Sequence, residues 1–300
     1  SLVGSEMCIR DRKNPSQVGL LSAYYSVFTT PYNIEILFAT SSDNSNEVEL
    51  YNNPISYGGK GYTNPTQELV DAYETTKGYP IDDPRSGYDP ENPYKGRDPR
   101  MEYSVAYNGL KFSGTPIETF VGGKDGLNKT PTATKTGYYM RKFIDQNLDL
   151  SKDQKRRRPW ILFRYAEILL NYAEAMNEYL DAPDQSIYDA VNLIRKRAKI
   201  PQLNIRMNLS KEEMRARIRN ERRVELAFEE HRFWDVRRWE EGQTYFNQPI
   251  HGMRITMENE KASYETFVVE ERVFEPKMNY YPIPQSELQK NSKLDQNPGW

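Results

Sequence analysis

The chain has 300 residues, of which 41 are Lys or Arg and 43 are Asp or Glu, giving a net charge of −2. This near balance argues against a dedicated nucleic-acid binder, which usually carries a basic excess. No run approaches the roughly 18 apolar residues that a membrane-spanning helix needs. Tyrosine is over-represented, with 22 residues, and its apolar ring and polar tip favour contact surfaces.

The first twelve residues, SLVGSEMCIRDR, differ from everything that follows. They show no periodic pattern and join abruptly to Lys13, Asn14 and Pro15. We interpret residues 1–12 as a translated sequencing-adapter scar and exclude them from fold prediction. Because the only cysteine, Cys8, lies inside this scar, the native part offers no cysteine nucleophile. We expect the natural amino end, with any signal peptide, to be missing from this sequence.

Residues 13–150 are predicted to be a loop-rich portion of one domain. The segment YNIEILFAT places Ile34, Ile36 and Phe38 on one face with a period of two, which predicts a half-buried strand. Further short β segments are predicted at residues 103–107, 117–121 and 138–143.

A Tyr- and Gly-rich loop precedes a short helix in this portion. The stretch YNNPISYGGKGYTNP packs three glycines between tyrosines, which predicts a sharply bent loop that presents aromatic rings. Thr66 is the predicted N-cap of the helix that follows, and Gly78 ends it. Residues 82–100 are too dense in Pro and Gly for a regular element.

Residues 151–241 are predicted to be helical. Pro159 suits a first helical turn. The first helix repeats large residues at three- and four-residue spacing: Tyr165, Ile168, Leu169, Tyr172, Met176 and Tyr179. A second helix carries the apolar stripe Ile187, Ala190, Val191, Ile194 and Ala198. The pair resembles one tetratricopeptide-type hairpin, and such a unit cannot bury its faces alone.

A third helix is predicted to start at Ser210, which forms a capping box with Glu213. Projected at 3.6 residues per turn, its inward positions are Met214, Ile218, Glu221, Val224, Glu225, Phe228, Arg232, Asp235, Val236 and Trp239. After Gly242, residues 242–300 are predicted to be an irregular, partly β-like portion of the same domain.

The charged part of this third helix interleaves arginines with aromatic residues, as a nucleic-acid grip would. However, residues 211–241 hold nine basic and nine acidic residues, and a phosphate-binding helix would not cancel its own field. Buried carboxylates need paired, hydrogen-bonding partners, which Arg supplies. We therefore predict a structural ion-pair helix, carried by Glu221, Arg222, Glu225 and Arg232.

Five segments resemble the SusD/RagB family of outer-membrane glycan-binding lipoproteins, in the family's order. They are NPTQELVDAYETTKG, DPRMEYSVAYNG, RPWILFRYAEILLNYAEAMNE, NERRVELAFEEHRFWDVRRW and the terminal YYPIPQSELQKN…LDQNPGW. The resemblance covers residues 13–300. Family members are considerably longer, so the chain resembles their C-terminal part. It implies a mainly α, tetratricopeptide-type helical scaffold with long irregular loops and short β segments.

The resemblance also implies a non-enzymatic function that needs no cofactor. SusD-like proteins are held at the cell outer membrane by an N-terminal lipid anchor, which this fragment would lack. They bind oligosaccharides or polysaccharides and deliver them to a SusC-like TonB-dependent transporter. Some members bind peptides instead, so a peptide-binding uptake lipoprotein is the first alternative.

The ligand residues of this family vary and lie in loops. We therefore place the expected glycan site by composition, in the Tyr- and Gly-rich loop. The candidate residues, aromatic rings with polar partners, are Tyr51, Asn52, Asn53, Tyr57 and Tyr62.

Two further interpretations stay open. A glycoside hydrolase needs two carboxylates about 5–10 Å apart, and no pair is singled out. A helical-repeat scaffold would explain the hairpin but not the other segments. We predict no metal site, because the two histidines, His231 and His251, lie 20 residues apart with no supporting cluster.

Overall fold

A computed structural model describes residues 18–31, 33–41 and 44–300 of the chain. The adapter-like residues 1–12, with Cys8, lie outside the described residues. The described part is mainly helical, with few strands and long irregular connections, which confirms the predicted fold class. The α-helices are α1 (Ser26–Thr29), α2 (Glu47–Asn52), α3 (Gln67–Ala72), α4 (Pro99–Ser104), α5 (Tyr165–Tyr179), α6 (Gln185–Ala198), α7 (Lys211–Glu225), α8 (His231–Arg238), α9 (Gly242–Phe246) and α10 (Gln285–Lys290).

The strands form separate antiparallel pairs. Their bounds are β1 (Ile36–Ser41), β2 (Val105–Ala106), β3 (Lys111–Phe112), β4 (Thr115–Pro116), β5 (Tyr139–Met140), β6 (Pro159–Arg164), β7 (Ile250–Glu258) and β8 (Lys261–Glu270). The pairs are β1–β6, β2–β5, β3–β4 and β7–β8. The β7–β8 hairpin is longer than the sequence pattern indicates, since only residues after 265 alternate clearly.

Helices α5, α6 and α7 pack around one apolar core. The predicted stripe of α6 is confirmed, because all five of its members are buried. The face of α5 differs from the prediction: Ile168 and Tyr172 are exposed, whereas Ala166, Leu170 and Ala173 are buried. The small alanines face the core with the leucines, and the larger ring of Tyr172 stays outside.

Strand β6 takes the place of the predicted first helical turn at Pro159. The residues Trp160, Ile161 and Phe163 have high β propensity, and Pro is tolerated as the first residue of an edge strand. Strand β6 pairs with β1, with Phe38 opposite Phe163. Helix α5 therefore begins only at Tyr165.

Helix α7 starts as predicted, with the reciprocal capping box of Ser210 and Glu213. The prediction that it runs on to Trp239 is wrong, because the helix ends at Glu225 and α8 restarts at His231. Phe228 and Glu230 have φ values of 64° and 65°, which a right-handed helix does not accommodate. The turn between the helices directs Glu229 towards Arg164 and Lys142.

The loop-rich portion contains three helices that the sequence did not indicate, α1, α2 and α4. Helix α4 begins at Pro99 because the Asp98 side chain accepts a hydrogen bond from the Arg100 backbone N–H. The Thr66 N-cap of α3 is confirmed by its bond from the Leu69 N–H. Both helices contribute to a second core with Val70, Met101 and Tyr138.

Candidate ligand-binding surface

The Tyr- and Gly-rich loop folds back onto the end of helix α2. The Lys60 N–H donates to the Leu50 carbonyl at 2.9 Å, and the Tyr62 N–H donates to the Tyr51 carbonyl at 2.8 Å. The Gly61 N–H donates to the Asn53 carbonyl at 3.2 Å. These bonds place the end of the loop directly beside the helix.

Two glycines make this close return possible. A Cβ atom at Gly59 would lie 2.1 Å from the Asn53 carbonyl oxygen. Gly61 has φ of +53°, and a Cβ there would lie 2.6 Å from the Tyr139 ring. Only residues without a side chain fit at these positions, which explains the GGKG pattern between the tyrosines.

The fold-back sets Tyr51 and Tyr62 side by side as an aromatic pair. Their ring centroids are 5.6 Å apart with an interplanar angle of 10°. Tyr62 is 62% exposed and Tyr51 is 37% exposed. The Lys60 ammonium lies 5.0 Å from the Tyr51 ring centre and 5.8 Å from that of Tyr62. This pair with Lys60 is the tyrosine platform.

Tyr57 lies in the same loop but is held from inside. Its hydroxyl donates to the carbonyls of Phe112 at 2.7 Å and Thr115 at 3.1 Å. Its ring packs 4.9 Å from that of Phe112. Tyr57 therefore fastens the loop to the β3–β4 hairpin and leaves only part of its surface for a ligand.

The two candidate asparagines have different surroundings. The Asn52 amide donates to the Val48 carbonyl at 2.9 Å, within its own helix. Asn53 is buried, and its Oδ1 atom accepts no hydrogen bond from any described residue. An unsatisfied buried acceptor is costly, but this oxygen has almost no accessible surface, so a ligand in the cavity would reach it only if the side chain rearranged.

Asn53 and Tyr57 line a polar cavity of about 630 Å³. Its opposite wall comes from residues 146–151, together with Ser113 and Asp153. The polar wall residues that sequence analysis missed are Asn46, Ser56, Ser113, Gln146, Asn147, Asp149, Ser151 and Asp153. The polar run DQNLDLSKD was a sequence signal for the five of them between residues 146 and 153, and Ser56 lies within the Tyr- and Gly-rich stretch.

The two carboxylates of the cavity are engaged by their neighbours. Hydrogen bonds from Ser151 and Lys152 lower the pKa of Asp149 to about 2. Bonds from Lys155 and Asn46 lower the pKa of Asp153. Both side chains are therefore ionised acceptors near neutral pH, and neither is suited to donate a proton as a general acid.

Helix α7 carries its acids into a buried network of guanidiniums. Glu221 accepts from Arg100 at 2.6 Å and from Arg195 at 3.0 Å. Glu225 accepts from Arg164 at 2.7 Å and also pairs with Arg100 and Arg197.

Burial alone would raise the pKa of Glu225. The cations Arg197, Arg164 and Arg100 outweigh this effect and hold the pKa well below its ordinary value. Glu225 is therefore ionised in a fully buried position.

Arg222 and Arg232 differ in their contacts. Arg222 is buried, donates to Asp235 at 2.6 Å and donates to Asn171 at 2.7 Å. Arg232 is half-buried and forms no ion pair within the described part of the chain; its guanidinium lies 4.4 Å from the Tyr245 ring centre. The predicted inward position of Arg232 is wrong because α7 ends at Glu225, before the projected register reaches it.

The histidines are separate from one another in the structure. His251 contacts Glu68, and His231 lies 3.8 Å from Glu167. Across residues 18–31, 33–41 and 44–300, no group of three or more His, Cys, Asp or Glu side chains is arranged to hold a metal ion. Among the helices described here, none has the length and apolar character to cross a membrane.

Comparison with known proteins identifies relatives over most of the chain. SusD-like protein P2 of Formosa agariphila is 34% identical over 147 residues, which are 47% of this chain and 26% of that protein. A SusD-like protein structure from Bacteroides fragilis is similar with a TM-score of 0.78 and 30% identity, covering 94% of this chain and 59% of that one.

A second Bacteroides fragilis structure, described as a SusD-like carbohydrate binding protein, has a TM-score of 0.76 and 29% identity. It covers 96% of this chain and 60% of its own. The chain thus spans less than two thirds of the length of each of these relatives. The SusD family model matches residues 26–300, which confirms the resemblance of the five ordered segments, and the chain belongs to the SusD family.

Proposed function

We propose that the chain carries a glycan-binding surface of a cell-surface nutrient-uptake lipoprotein. The whole protein would be held at the outer membrane by an upstream lipid anchor and would deliver oligosaccharides to a SusC-type TonB-dependent transporter. Membership of the SusD family supports this role. So does the similarity to a structure described as a carbohydrate binding protein.

The tyrosine platform is the observation that carries the proposal. An aromatic face matches the apolar C–H face of a sugar ring, and polar groups beside it match the hydroxyls. Tyr62 supplies the exposed ring, and Lys60 supplies a donor over the pair. The segment that bears the platform also contributes Asn53 and Ser56 to the polar cavity.

Binding without hydrolysis is the mechanism we propose. Glycoside hydrolysis needs one carboxylic acid with a raised pKa beside a second carboxylate. In the cavity, Asp149 and Asp153 both have lowered pKa values, so they are suited to accept hydrogen bonds from sugar hydroxyls. Their ionised oxygens strengthen such bonds.

The test is calorimetric titration of the 300-residue chain with a panel of neutral oligosaccharides. We expect one of them to bind, and Tyr62→Ala to weaken its binding by about tenfold, because the substitution removes a stacking ring. Tyr179→Ala is the matched control, since Tyr179 is a tyrosine 82% exposed at the end of α5. Release of reducing sugar would contradict the binding mechanism, and affinity for peptides alone would favour the peptide-uptake alternative.

A further inference from the structure

A second cavity, of about 330 Å³, lies along helix α7 where the chain turns back through α8 and α9. Its charged lining consists of four guanidiniums and two carboxylates: Arg215, Arg219, Arg223, Arg232, Glu212 and Glu241. We call it the α7 cavity. Four cations against two anions leave a local excess of two positive charges.

Two of the four guanidiniums have carboxylate partners. Arg215 binds Glu178 with two bonds of 2.6 Å each. Arg219 pairs with Glu241 and lies 4.4 Å from the Trp239 ring centre. Glu178, bonded to a lining arginine, is a third carboxylate, so the local excess falls to one positive charge. Arg223 and Arg232 are the lining guanidiniums left without a bonded carboxylate among the described residues.

Arg223 and Arg232 have no counterion within the described residues. Arg223 forms no hydrogen bond or ion pair there, and Arg232 has a hydrogen bond with the Tyr245 side chain and contacts the rings of Tyr245 and Trp239, in the fields of Asp235 and Glu241. The carboxylates whose fields reach Arg223, those of Glu68 and Asp71, contact His251 and Gln67 instead.

The two unpaired guanidiniums act on each other as like charges. Burial and then the charge of Arg232 lower the pKa of Arg223 to about 10. Both side chains are half-buried, so their repulsion is only partly screened by water. An anion between them would replace this repulsion with attraction.

The geometry of guanidinium restricts the class of anion. Its planar fork matches the paired oxygens of a carboxylate or of a tetrahedral oxyanion such as phosphate or sulfate. The cavity volume is at the lower end of the range for small-molecule sites, about 300–1,000 Å³, which is enough for one sugar unit.

We propose that the α7 cavity binds an oxyanion, a carboxylate or sulfate group, through Arg223 and Arg232. We further propose that a saccharide bears this group, which rests on the proposed glycan-binding function. The chain would then have a neutral aromatic surface at the tyrosine platform and a separate site for an acidic sugar.

The experiment measures binding and thermal unfolding at constant ionic strength. The probes are sodium sulfate against sodium chloride, an oligouronate, and a neutral oligosaccharide. We expect the oligouronate to raise the Tm of the wild-type chain above its value in chloride, since a ligand of the native state stabilises it. Sulfate stabilises proteins generally through its exclusion from their surfaces, so we expect it to raise the Tm of the wild-type chain more than that of Arg223→Met. The oligouronate should bind more tightly than sulfate.

Substitutions then locate the site. Arg223→Met and Arg232→Met should each weaken oligouronate binding at least about tenfold, the loss expected for a charge-assisted hydrogen bond. Arg254→Met is the matched control, because Arg254 is exposed on the β7–β8 hairpin and pairs with Glu265. Arg232→Lys keeps the charge but loses the planar guanidinium. Its affinity for the oligouronate should lie between those of the wild-type chain and Arg232→Met.

Three results would overturn the proposal or part of it. Equal Tm values in sulfate, oligouronate and chloride would refute the anion site in the wild-type chain, independently of any variant's folding. Equal affinity for sulfate and the oligouronate would refute the saccharide assignment. If Tyr62→Ala weakened oligouronate binding and Arg223→Met left it unchanged, the acidic sugar would belong to the tyrosine platform. If the wild-type chain bound the oligouronate but no neutral oligosaccharide, the result would count against the proposed function and not against the anion site in the α7 cavity.

Discussion

At the scale of single residues, Glu225 explains why the most charged segment of the chain is structural. Its carboxylate is fully buried and meets three guanidiniums, those of Arg100, Arg164 and Arg197. A buried carboxylate is tolerable only with such partners. The mixture of arginines and acids around it is therefore required by the core.

Neutralising this carboxylate should destabilise the fold strongly. Glu225→Gln leaves buried guanidiniums short of negative charge, and we expect the free energy of unfolding to fall by roughly 3–5 kcal/mol. Denaturant unfolding measures the change. Glu265→Gln, in the exposed pair with Arg254, should cost less than about 1 kcal/mol. Unchanged stability with lost ligand binding in Glu225→Ala would show that the residue belongs to a binding site.

The same residue predicts acid sensitivity. Burial raises the pKa values of Glu225 and Glu229, but the neighbouring cations outweigh it and lower both pKa values. In the unfolded chain the pKa of a glutamate is about 4.3. The unfolded chain therefore binds more protons than the native state at acidic pH. The contributed stability is present above that pH and lost as the pH falls below it.

Unfolding measured between about pH 6 and pH 3 checks this sign. The wild-type free energy of unfolding should decline below about pH 4.3, and the decline should be smaller in Glu225→Gln. Parallel pH profiles for the two proteins would contradict the assignment.

At the scale of elements, the turn between α7 and α8 shows where local sequence rules stop working. The capping box of Ser210 and Glu213 is a signal within four residues, and it was predicted. The break after Glu225 serves contacts distant in sequence, since Glu229 binds Arg164, 65 residues away. The 3.6-residue period carries no information about such a partner.

The turn also contains strain that a substitution can relieve. Glu230 is exposed, with φ of 65°, a conformation that costs a residue with a side chain about 1–2 kcal/mol. Glu230→Gly should raise the free energy of unfolding by up to about 1 kcal/mol after the larger chain entropy of glycine is subtracted. Thermal unfolding measures it.

A matched control makes this prediction specific to the backbone. Glu212→Gly, at an exposed helical position in α7, should lower the stability instead, because glycine weakens a helix. A loss of stability in both variants would show that Glu230 is not strained in solution.

The candidate ligand-binding surface was only partly predictable from the sequence, for a related reason. Composition indicated the loop, and Tyr51 and Tyr62 lie exposed in it. The stacking of the two rings depends on backbone bonds across the loop and on Gly59 and Gly61. Tyr57 looked equivalent in sequence, yet its hydroxyl is bound to the β3–β4 hairpin.

At the scale of the whole molecule, the chain separates a charged scaffold from its candidate ligand surfaces. The network around Glu225 connects α4, α6, α7 and β6. The polar cavity instead joins residues near 50 to residues near 113 and 150. A local sequence pattern does not show that segments so far apart line the same cavity. The sequence therefore indicated the side near residue 50 and not the side formed by residues near 113 and 150.

The molecule also exposes a second group of aromatic rings, which gives the central claim a competitor. Phe233, Trp234 and Tyr281 lie within 6.5 Å of one another, measured between ring centroids. All three are exposed. A cation accompanies these rings too: Arg237 lies 4.3 Å from the Tyr281 ring centre, much as Lys60 lies 5.0 Å from that of Tyr51.

The most direct measurement is a crystal structure of the chain with the neutral oligosaccharide that binds it in titration. We predict a pyranose ring against the exposed face of Tyr62, with its hydroxyls towards Lys60. A sugar ordered on Trp234, with nothing at Tyr62, would contradict the account.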